Sequence, residues 1–142
     1  MTTMNTNTEG STPLCEADYI AATAHELGRK QSADRAAALV SQKALFQRRG
    51  RIVLHPDELV LTDWSDTGPL VLTRTDITAA ETRFTDLYGR FLGGLLNAGK
   101  PLVLSTASPS LGEIYLLINR REIMETTDDR QWEKRINDWR NG

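Results

Sequence analysis

The chain has 142 residues, of which 39% are hydrophobic and 25% are charged, and its formal net charge is -2. These values are typical of one globular domain with a real core. The small net charge excludes the strongly basic field by which many proteins bind nucleic acid, and no apolar run approaches the roughly 20 residues that a membrane-spanning helix needs.

The first segment, residues 1–13, is polar, rich in Thr and Asn, and ends at Pro13. We expect a disordered tail here, because so few apolar side chains cannot offset the entropy lost on ordering. The segment lacks the basic start and the apolar stretch of a secretory signal. The single Cys15 that follows can form no internal disulfide and fits a reducing compartment, so the expected location is the cytoplasm.

The second segment, residues 14–40, has a helical pattern. The side chains that recur at helical spacing before Gly28, a common type of helix end, are Tyr19, Ile20, Thr23, Ala24 and Leu27. This spacing predicts a helix over residues 16–30. We therefore expect residues 14–40 to form an N-terminal helical segment that precedes the main domain.

From residue 41 onward the pattern changes to short strands separated by turns, which is typical of an antiparallel sandwich or barrel. Seven strands are predicted, over residues 42–48, 50–55, 58–64, 69–73, 76–84, 102–106 and 113–118. We interpret Arg48-Arg49-Gly50 as the turn between the first two strands and Pro56-Asp57 as the turn before the third. The main domain accordingly spans residues 41–142.

The chain ends in a helical pattern of a different kind. Trp132, Ile136 and Trp139 follow one another at i, i+4 and i+7, which places them on one stripe of a helix. Asp128 is a favourable N-cap, and Gln131 three residues later resembles the second half of a capping box. Burial of the two indoles contributes roughly 1.5–3 kcal/mol each. We therefore expect this helix to close the open end of a curled sheet.

The order of these elements resembles the pleckstrin-homology (PH) superfold, and within it the GRAM-like and bacterial PH-like domains. The residues that carry the resemblance are the apolar hairpin 50–61, the strand and Asp-Ile step 69–77, and the final helix 132–139. The resemblance implies a mainly β fold with two nearly orthogonal antiparallel sheets, which form a seven-stranded, partly open barrel capped by the C-terminal helix. The N-terminal helix would be an addition to that plan. Another small antiparallel α+β fold is the alternative.

Catalytic chemistry has little support in the sequence. Cys15 lies at the edge of the polar tail, and His25 and His55 are the only histidines. Two distant histidines and one cysteine do not supply the three or four closely spaced ligands of a zinc site. Gly-rich phosphate-binding motifs and nucleophile motifs are absent from the sequence. We therefore expect no catalytic residue, no metal and no cofactor.

A basic cluster surrounds the predicted first hairpin, and its members are Lys43, Arg48, Arg49 and Arg51. A lysine followed by a basic-x-Arg pattern on the first two strands is similar to the phosphoinositide-binding pattern of PH domains. Guanidinium groups bind phosphate oxygens in a bidentate manner, and a turn glycine lets backbone N–H groups approach an anion. The alternative interpretation is a solvated hairpin tip without a ligand.

The segment from Leu87 to Lys100 contains four glycines among large apolar residues. Its candidate partner-binding side chains are Leu87, Tyr88, Phe91, Leu92, Leu95 and Leu96. One interpretation is a long connection whose apolar residues fold back onto the barrel. The other is an exposed surface for a protein partner, for a second copy of the chain or for a membrane interface. A partner or a second copy comes before the membrane, because only Arg90 and Lys100 are basic in this segment.

These observations favour a non-catalytic PH-like binding module for protein–protein interaction or self-association. The alternative is the binding of an anionic lipid or phosphate ligand through the basic cluster, which would add a peripheral membrane location to the cytoplasmic one. Fold analogy by itself does not identify a ligand.

Overall fold

The computed structural model describes residues 12–33, 46–85, 100–120 and 127–142. Within these ranges, seven strands form one antiparallel sheet in the order β4-β3-β2-β1-β7-β6-β5. The elements are, in chain order, β1 (Cys15–Thr23), α1 (Ala24–Ala33), β2 (Arg48–Leu54), β3 (Leu59–Ser65), β4 (Gly68–Leu72), a 3₁₀ turn (Arg74–Asp76), β5 (Ile77–Thr82), β6 (Leu102–Thr106), β7 (Glu113–Ile118) and α2 (Asp129–Asn141). The predicted antiparallel, partly open barrel with a C-terminal helix is confirmed.

Strand β1 joins the two halves of the barrel. It pairs with β2 over Cys15–Ala21 and with β7 over Tyr19–Thr23, so a single strand belongs to both halves. The predicted helix over residues 16–30 is therefore wrong over β1, and the helix begins only at Ala24. Tyr19 faces the barrel core, whereas Ala22 packs in a second cluster on the opposite face of β1. Because both faces of β1 carry apolar residues, its sequence lacks the alternation of apolar and polar residues by which a strand is recognised.

The second correction concerns the start of β2. Residues 46 and 47 are not strand, β2 begins at Arg48, and the rest of the predicted strand 42–48 lies outside the described residues. Arg48, Arg49 and Gly50 are thus strand residues, and the predicted turn between them is wrong. The predicted turn at Pro56-Asp57 is confirmed, because it lies between β2 and β3.

Gly50 is required by a close approach of β3 to β2. A Cβ atom at Gly50 would overlap the carbonyl oxygen of Thr62. The hydroxyl of Tyr19, the cross-strand neighbour of Gly50, donates a hydrogen bond to that same oxygen at 2.6 Å. Beside it, Asp63 has a positive φ of 54°, and the pairing register of β3 shifts between Leu61 and Ser65. A glycine inside a strand is typical of such a bulge.

The C-terminal helix closes the barrel as expected. Trp132, Ile136 and Trp139 are 1%, 0% and 6% exposed, and all three belong to the core cluster inside the barrel. Asp128 is the N-cap residue, but its side chain makes no capping hydrogen bond and instead accepts one from Asn119 Nδ2 at 2.8 Å. The stripe of the helix was thus predictable, whereas the predicted capping box is wrong.

A second apolar layer covers the opposite face of β1, β7 and β6. Its buried members are Ala22, Leu27, Phe46, Val103, Tyr115 and Leu117, with Ile20, Ala24 and Phe84 packed against them. Strand β7 is consequently buried on both faces, from Ile114 to Ile118. Leu27 places α1 in this layer, so the helix after β1 packs on the outside of the barrel.

Candidate functional site

The described members of the predicted anion-binding cluster, Arg48, Arg49 and Arg51, lie in different surroundings. The guanidinium of Arg48 donates to both carboxylate oxygens of Glu26, at 2.6 and 3.1 Å, and to the carbonyl oxygen of Trp64. It also lies 4.4 Å from the centroid of the Trp64 ring. Burial alone would raise the pKa of Glu26, but the hydrogen bonds from Arg48 and Thr23 lower it. Arg48 therefore fastens α1 to the barrel.

The other members of the cluster have separate positions. Arg51 on β2 forms ion pairs with two residues of the neighbouring β1, with Asp18 at 2.7 Å and with Glu16 at 3.0 Å. Two carboxylates therefore compensate its charge. Arg49 is exposed on β2. Lys43 lies outside the described residues. Arg49 and Arg51 share the outer face of β2, because side chains two residues apart in a strand point to the same side, whereas Arg48 points to the other side. Of this pair, Arg51 is already ion-paired, and the anion-site hypothesis stays a prediction.

The second predicted site lies wholly outside the described residues. Its members are Leu87, Tyr88, Phe91, Leu92, Leu95 and Leu96. The connection that contains them leaves β5 near Phe84 and returns near Lys100, whose ammonium lies 5.7 Å from the centroid of the Phe84 ring. The partner-surface hypothesis for this segment stays a prediction.

A different feature is formed where the C-terminal half of α2 meets the ends of β1 and β2. An open groove of about 460 Å³ lies there. We call it the helix groove, and its lining includes Leu14, Cys15, Leu54, Arg74, Arg135 and Trp139. Leu14 is 59% exposed.

Rigid elements hold the sides of the helix groove. The backbone N–H of Leu14 donates to the carbonyl oxygen of Leu54 at 2.7 Å, which extends the pairing of β1 with β2. Arg74 donates from Nε to the carbonyl oxygen of Trp139 at 2.8 Å and from Nη2 to that of Pro56 at 2.7 Å. Its guanidinium carbon lies 5.0 Å from the centroid of the Trp139 ring. Arg74 is thus locked against the end of α2.

Two guanidinium groups line the helix groove. Arg74 contacts carbonyl oxygens and an indole, and Arg135 lies 5.7 Å from the centroid of the Trp132 ring. Neither guanidinium forms an ion pair with a carboxylate among the described residues. Asp138, which also lines the groove, is paired with Lys134 at 2.7 Å. Neither guanidinium is ion-paired in the described part of the chain, and Arg74 in addition lies against the carbonyl end of α2, where a cation is favourable.

The thiol in the groove is not activated. Burial raises the pKa of Cys15, and the nearby guanidinium of Arg135 offsets only part of that effect. Since the thiolate is the reactive form, a raised pKa makes Cys15 a poor nucleophile at neutral pH. Within residues 12–33, 46–85, 100–120 and 127–142, no cluster of three or more His, Cys, Asp or Glu residues could hold a metal ion.

The free edge of β5 is covered by polar side chains of α2. Glu133 accepts a hydrogen bond from the backbone N–H of Thr82 at 3.0 Å, and Asn137 donates to the carbonyl oxygen of Ala80 at 2.9 Å. Arg140 donates to the carbonyl oxygens of Ile77 and Thr78, at 3.1 and 2.8 Å. These contacts occupy backbone groups that an added peptide strand would need.

Sequence reasoning did not identify Leu14, Arg74 or Arg135 as site residues. The sequence did contain an indication that Arg135 lies next to the two tryptophans, because Arg135 follows Trp132 by three residues and precedes Trp139 by four. That spacing places it beside the buried stripe, at the border of the helix with the barrel. No comparable signal exists for Arg74, whose position depends on the fold of the turn before β5.

Comparison with known proteins supports the architecture. No protein-family model and no curated protein sequence matches the chain. The C-terminal domain of an unknown protein from Leishmania infantum superposes with a TM-score of 0.52 at 10% identity, over 94% of this chain and 89% of that one. The Vps36 N-terminal PH domain superposes with a TM-score of 0.52 at 14% identity, over 94% of this chain and 81% of that one. The fold is PH-like.

The PH-like fold confirms the superfold that the sequence resembled, and the GRAM-like and bacterial part of that resemblance stays a prediction. At such low identity the likeness concerns the fold, and function has to be argued from the site. One further finding bears on the site: no helix in the described ranges is both long and apolar enough to cross a membrane.

Proposed function

We propose that the chain is a non-catalytic PH-like binding module that holds a segment of a protein partner in the helix groove. The observation that carries the proposal is the composition of that groove. The exposed Leu14 and the ring of Trp139 offer apolar contact, and Arg74 and Arg135 offer guanidinium groups that form no ion pair with the described residues. Interfaces commonly combine such an aromatic and arginine-rich centre with an open rim.

The groove also fits binding better than catalysis. Its thiol has a raised pKa, and its two arginines stand beside carbonyl oxygens and indoles without a general base in contact. The side chains are held by strand ends and by a helix, so the surface is preorganised before a partner binds. Preorganisation of this kind reduces the entropic cost of association. The unpaired Cys15 supports a cytoplasmic location as part of the proposal.

The alternative of anion binding through the basic cluster receives less support. Arg48 and Arg51 direct their guanidinium groups at Glu26, Glu16 and Asp18, and a phosphate would have to displace those carboxylates. Self-association through the segment 87–96 remains a second form of the protein-interaction proposal.

Site-specific photo-crosslinking tests the proposal. The photoreactive residue p-benzoylphenylalanine replaces Leu14 in the full chain, and it replaces Val71, an exposed residue of β4, in a matched control. Irradiation in cells should give polypeptide adducts from position 14 that are weak or absent from position 71. An adduct of twice the chain mass would identify self-association. Equal adducts from both positions, or none from position 14, would contradict the proposal.

A further inference from the structure

The charges around the helix groove are complementary to acidic groups. Arg74 and Arg135 have no carboxylate partner within the described residues, whereas Arg48 and Arg51 elsewhere on the sheet are each ion-paired. Among the described residues of the lining, the acidic side chain is that of Asp138, which is already paired with Lys134. An occupant with carboxylates would supply an ion pair for Arg135, which can bind a carboxylate in a bidentate manner, and a further acceptor for the part of Arg74 that does not contact carbonyl oxygens.

The apolar part of the lining adds a second requirement. Leu14 is 59% exposed and lies beside Leu54 and the ring of Trp139. An apolar side chain of the occupant would remove this surface from water, which favours binding. The volume of about 460 Å³ lies within the usual range for sites that hold a small ligand or a few side chains. The contact is therefore with a short segment.

The covered edge of β5 limits how such a segment can dock. Since Glu133, Asn137 and Arg140 occupy backbone groups of β5, a segment that added to this edge as a strand would have to displace them. Side-chain contacts in the helix groove require no such displacement. The recognition would then depend on the charge and size of the partner's side chains.

We propose that the helix groove binds an acidic peptide segment that carries at least one large apolar side chain. The apolar side chain packs against Leu14 and Trp139, and flanking carboxylates pair with Arg135 and with the outer edge of Arg74. This inference rests on the proposed function and adds the chemical class of the partner to it.

Selection from a library of random 12-residue peptides tests this class directly. The bait is the full chain, and the peptides it enriches are compared with those enriched by the Arg135→Glu variant. The matched control is Arg130→Glu, which makes the same charge change at an exposed position of the same helix outside the groove. The selected peptides are expected to be rich in Asp and Glu and to contain a Leu, Ile, Phe or Trp.

Fluorescence anisotropy with a labelled selected peptide then measures the contribution of each side chain. Arg135→Glu should weaken binding about tenfold, because it replaces an attraction by a repulsion, whereas Arg130→Glu should change it less than about twofold. Arg135→Gln should fall between the two. Raising the salt concentration should weaken the binding, as expected for exposed charges. Circular dichroism of each variant establishes that it is folded.

The outcomes separate the inference from the proposed function. Selected peptides that lack acidic residues, but lose affinity on Leu14→Ser and keep it on Val71→Ser, would overturn the acidic class and leave the groove as a peptide site. Peptides that respond to neither Leu14→Ser nor Arg135→Glu, or no enriched peptide at all, would overturn both. Binding of anionic vesicles with no peptide bound, acidic or otherwise, would also overturn both.

Discussion

The indole Nε1–H of Trp139 donates a hydrogen bond to the carbonyl oxygen of Pro56, 3.0 Å away, across 83 residues of sequence. The same oxygen accepts a hydrogen bond from Nη2 of Arg74 at 2.7 Å. One carbonyl in the β2–β3 turn therefore joins the end of α2 to the turn before β5. This junction forms one side of the helix groove and closes the end of the barrel.

The first prediction concerns this junction. Trp139→Phe keeps an aromatic ring in the core but removes one of the two donors to Pro56, and we expect it to lower the free energy of unfolding by about 1–2 kcal/mol. Arg74→Gln removes the other donor. The double variant should lose less than the sum of the single changes, because Arg74 also contacts the Trp139 ring directly and each single change already weakens that contact. Urea unfolding of the four proteins measures this coupling, and strict additivity would contradict it.

Gly50 gives the second prediction. Gly50→Ala places a methyl group against the carbonyl oxygen of Thr62. Because the hydroxyl of Tyr19 donates a hydrogen bond to that same oxygen, β3 has to move to make room. We expect a loss of about 1–3 kcal/mol in the free energy of unfolding, as for other overpacked sites. Gly68→Ala is a comparison with a different cause: it should also be destabilising, through the positive φ of 132° at Gly68, but no neighbouring atom has to move because the space around it is open. Gly50→Ala should also disturb the Thr62 amide signal in NMR spectra, and a variant as stable as the parent would contradict the argument.

Asp129 gives the third prediction, on pH. The Oδ1 atom of this carboxyl accepts a hydrogen bond from the N–H of Ile118 at 2.7 Å, and Oδ2 has no partner within the described residues. Burial raises the pKa of Asp129 well above its ordinary value of 3.8. The folded chain therefore binds this proton more tightly than the unfolded chain does. The contribution of the protonated Asp129 to the free energy of unfolding is fully present below pH 3.8, and it is lost as the pH rises toward the raised pKa of this carboxyl.

Asp129→Asn should remove this decline, because the amide keeps an acceptor for Ile118 and does not ionise. Unfolding measured from about pH 4 to pH 8 should show a flatter pH dependence for Asp129→Asn than for the parent. Asp138→Asn is the matched control on the same helix, because Asp138 is exposed and paired with Lys134. An unchanged slope in Asp129→Asn would show that the carboxyl is not protonated in the folded chain.

The covered edge of β5 gives the fourth prediction. Glu133 accepts from the backbone N–H of Thr82, so Glu133→Ala should expose that N–H to solvent. Hydrogen exchange of the Thr82 amide should accelerate about tenfold or more, while the amides of β7 keep their rates. Lys134→Ala alters the neighbouring exposed side chain and should leave Thr82 unaffected. Equal exchange at Thr82 in both variants would contradict the assignment.

Some of the fold could be predicted from the sequence because the signals were local and unambiguous. Trp132, Ile136 and Trp139 can share only one face of a helix, and Pro56-Asp57 can fit only a turn. Strand β1 could not be recognised, since its outer face is covered by a second apolar layer and the period of two was lost. Gly50 was interpreted as a turn residue because the approach of Thr62 is visible only in three dimensions.

The candidate site was less predictable than the fold. A run of basic residues in sequence suggested one anion site, but alternation along β2 sends neighbouring side chains to opposite faces. Arg48 reaches Glu26 and Arg51 reaches Asp18, and neither carboxylate is close to its arginine in sequence. The helix groove combines residues from four distant parts of the chain, around positions 14, 54, 74 and 135. Such a combination has no signature in a single sequence.

The most direct test of the proposed binding site follows backbone and indole N–H signals by NMR while the tightest selected peptide is added to the full chain. If the peptide binds in the helix groove, the signals of the Trp139 indole and of the Leu14 amide shift in proportion to peptide occupancy, while the signal of the Trp64 indole beside Arg48 does not change. Shifts centred on Trp64 and β2, with Trp139 and Leu14 unchanged, would contradict the assignment of binding to the helix groove.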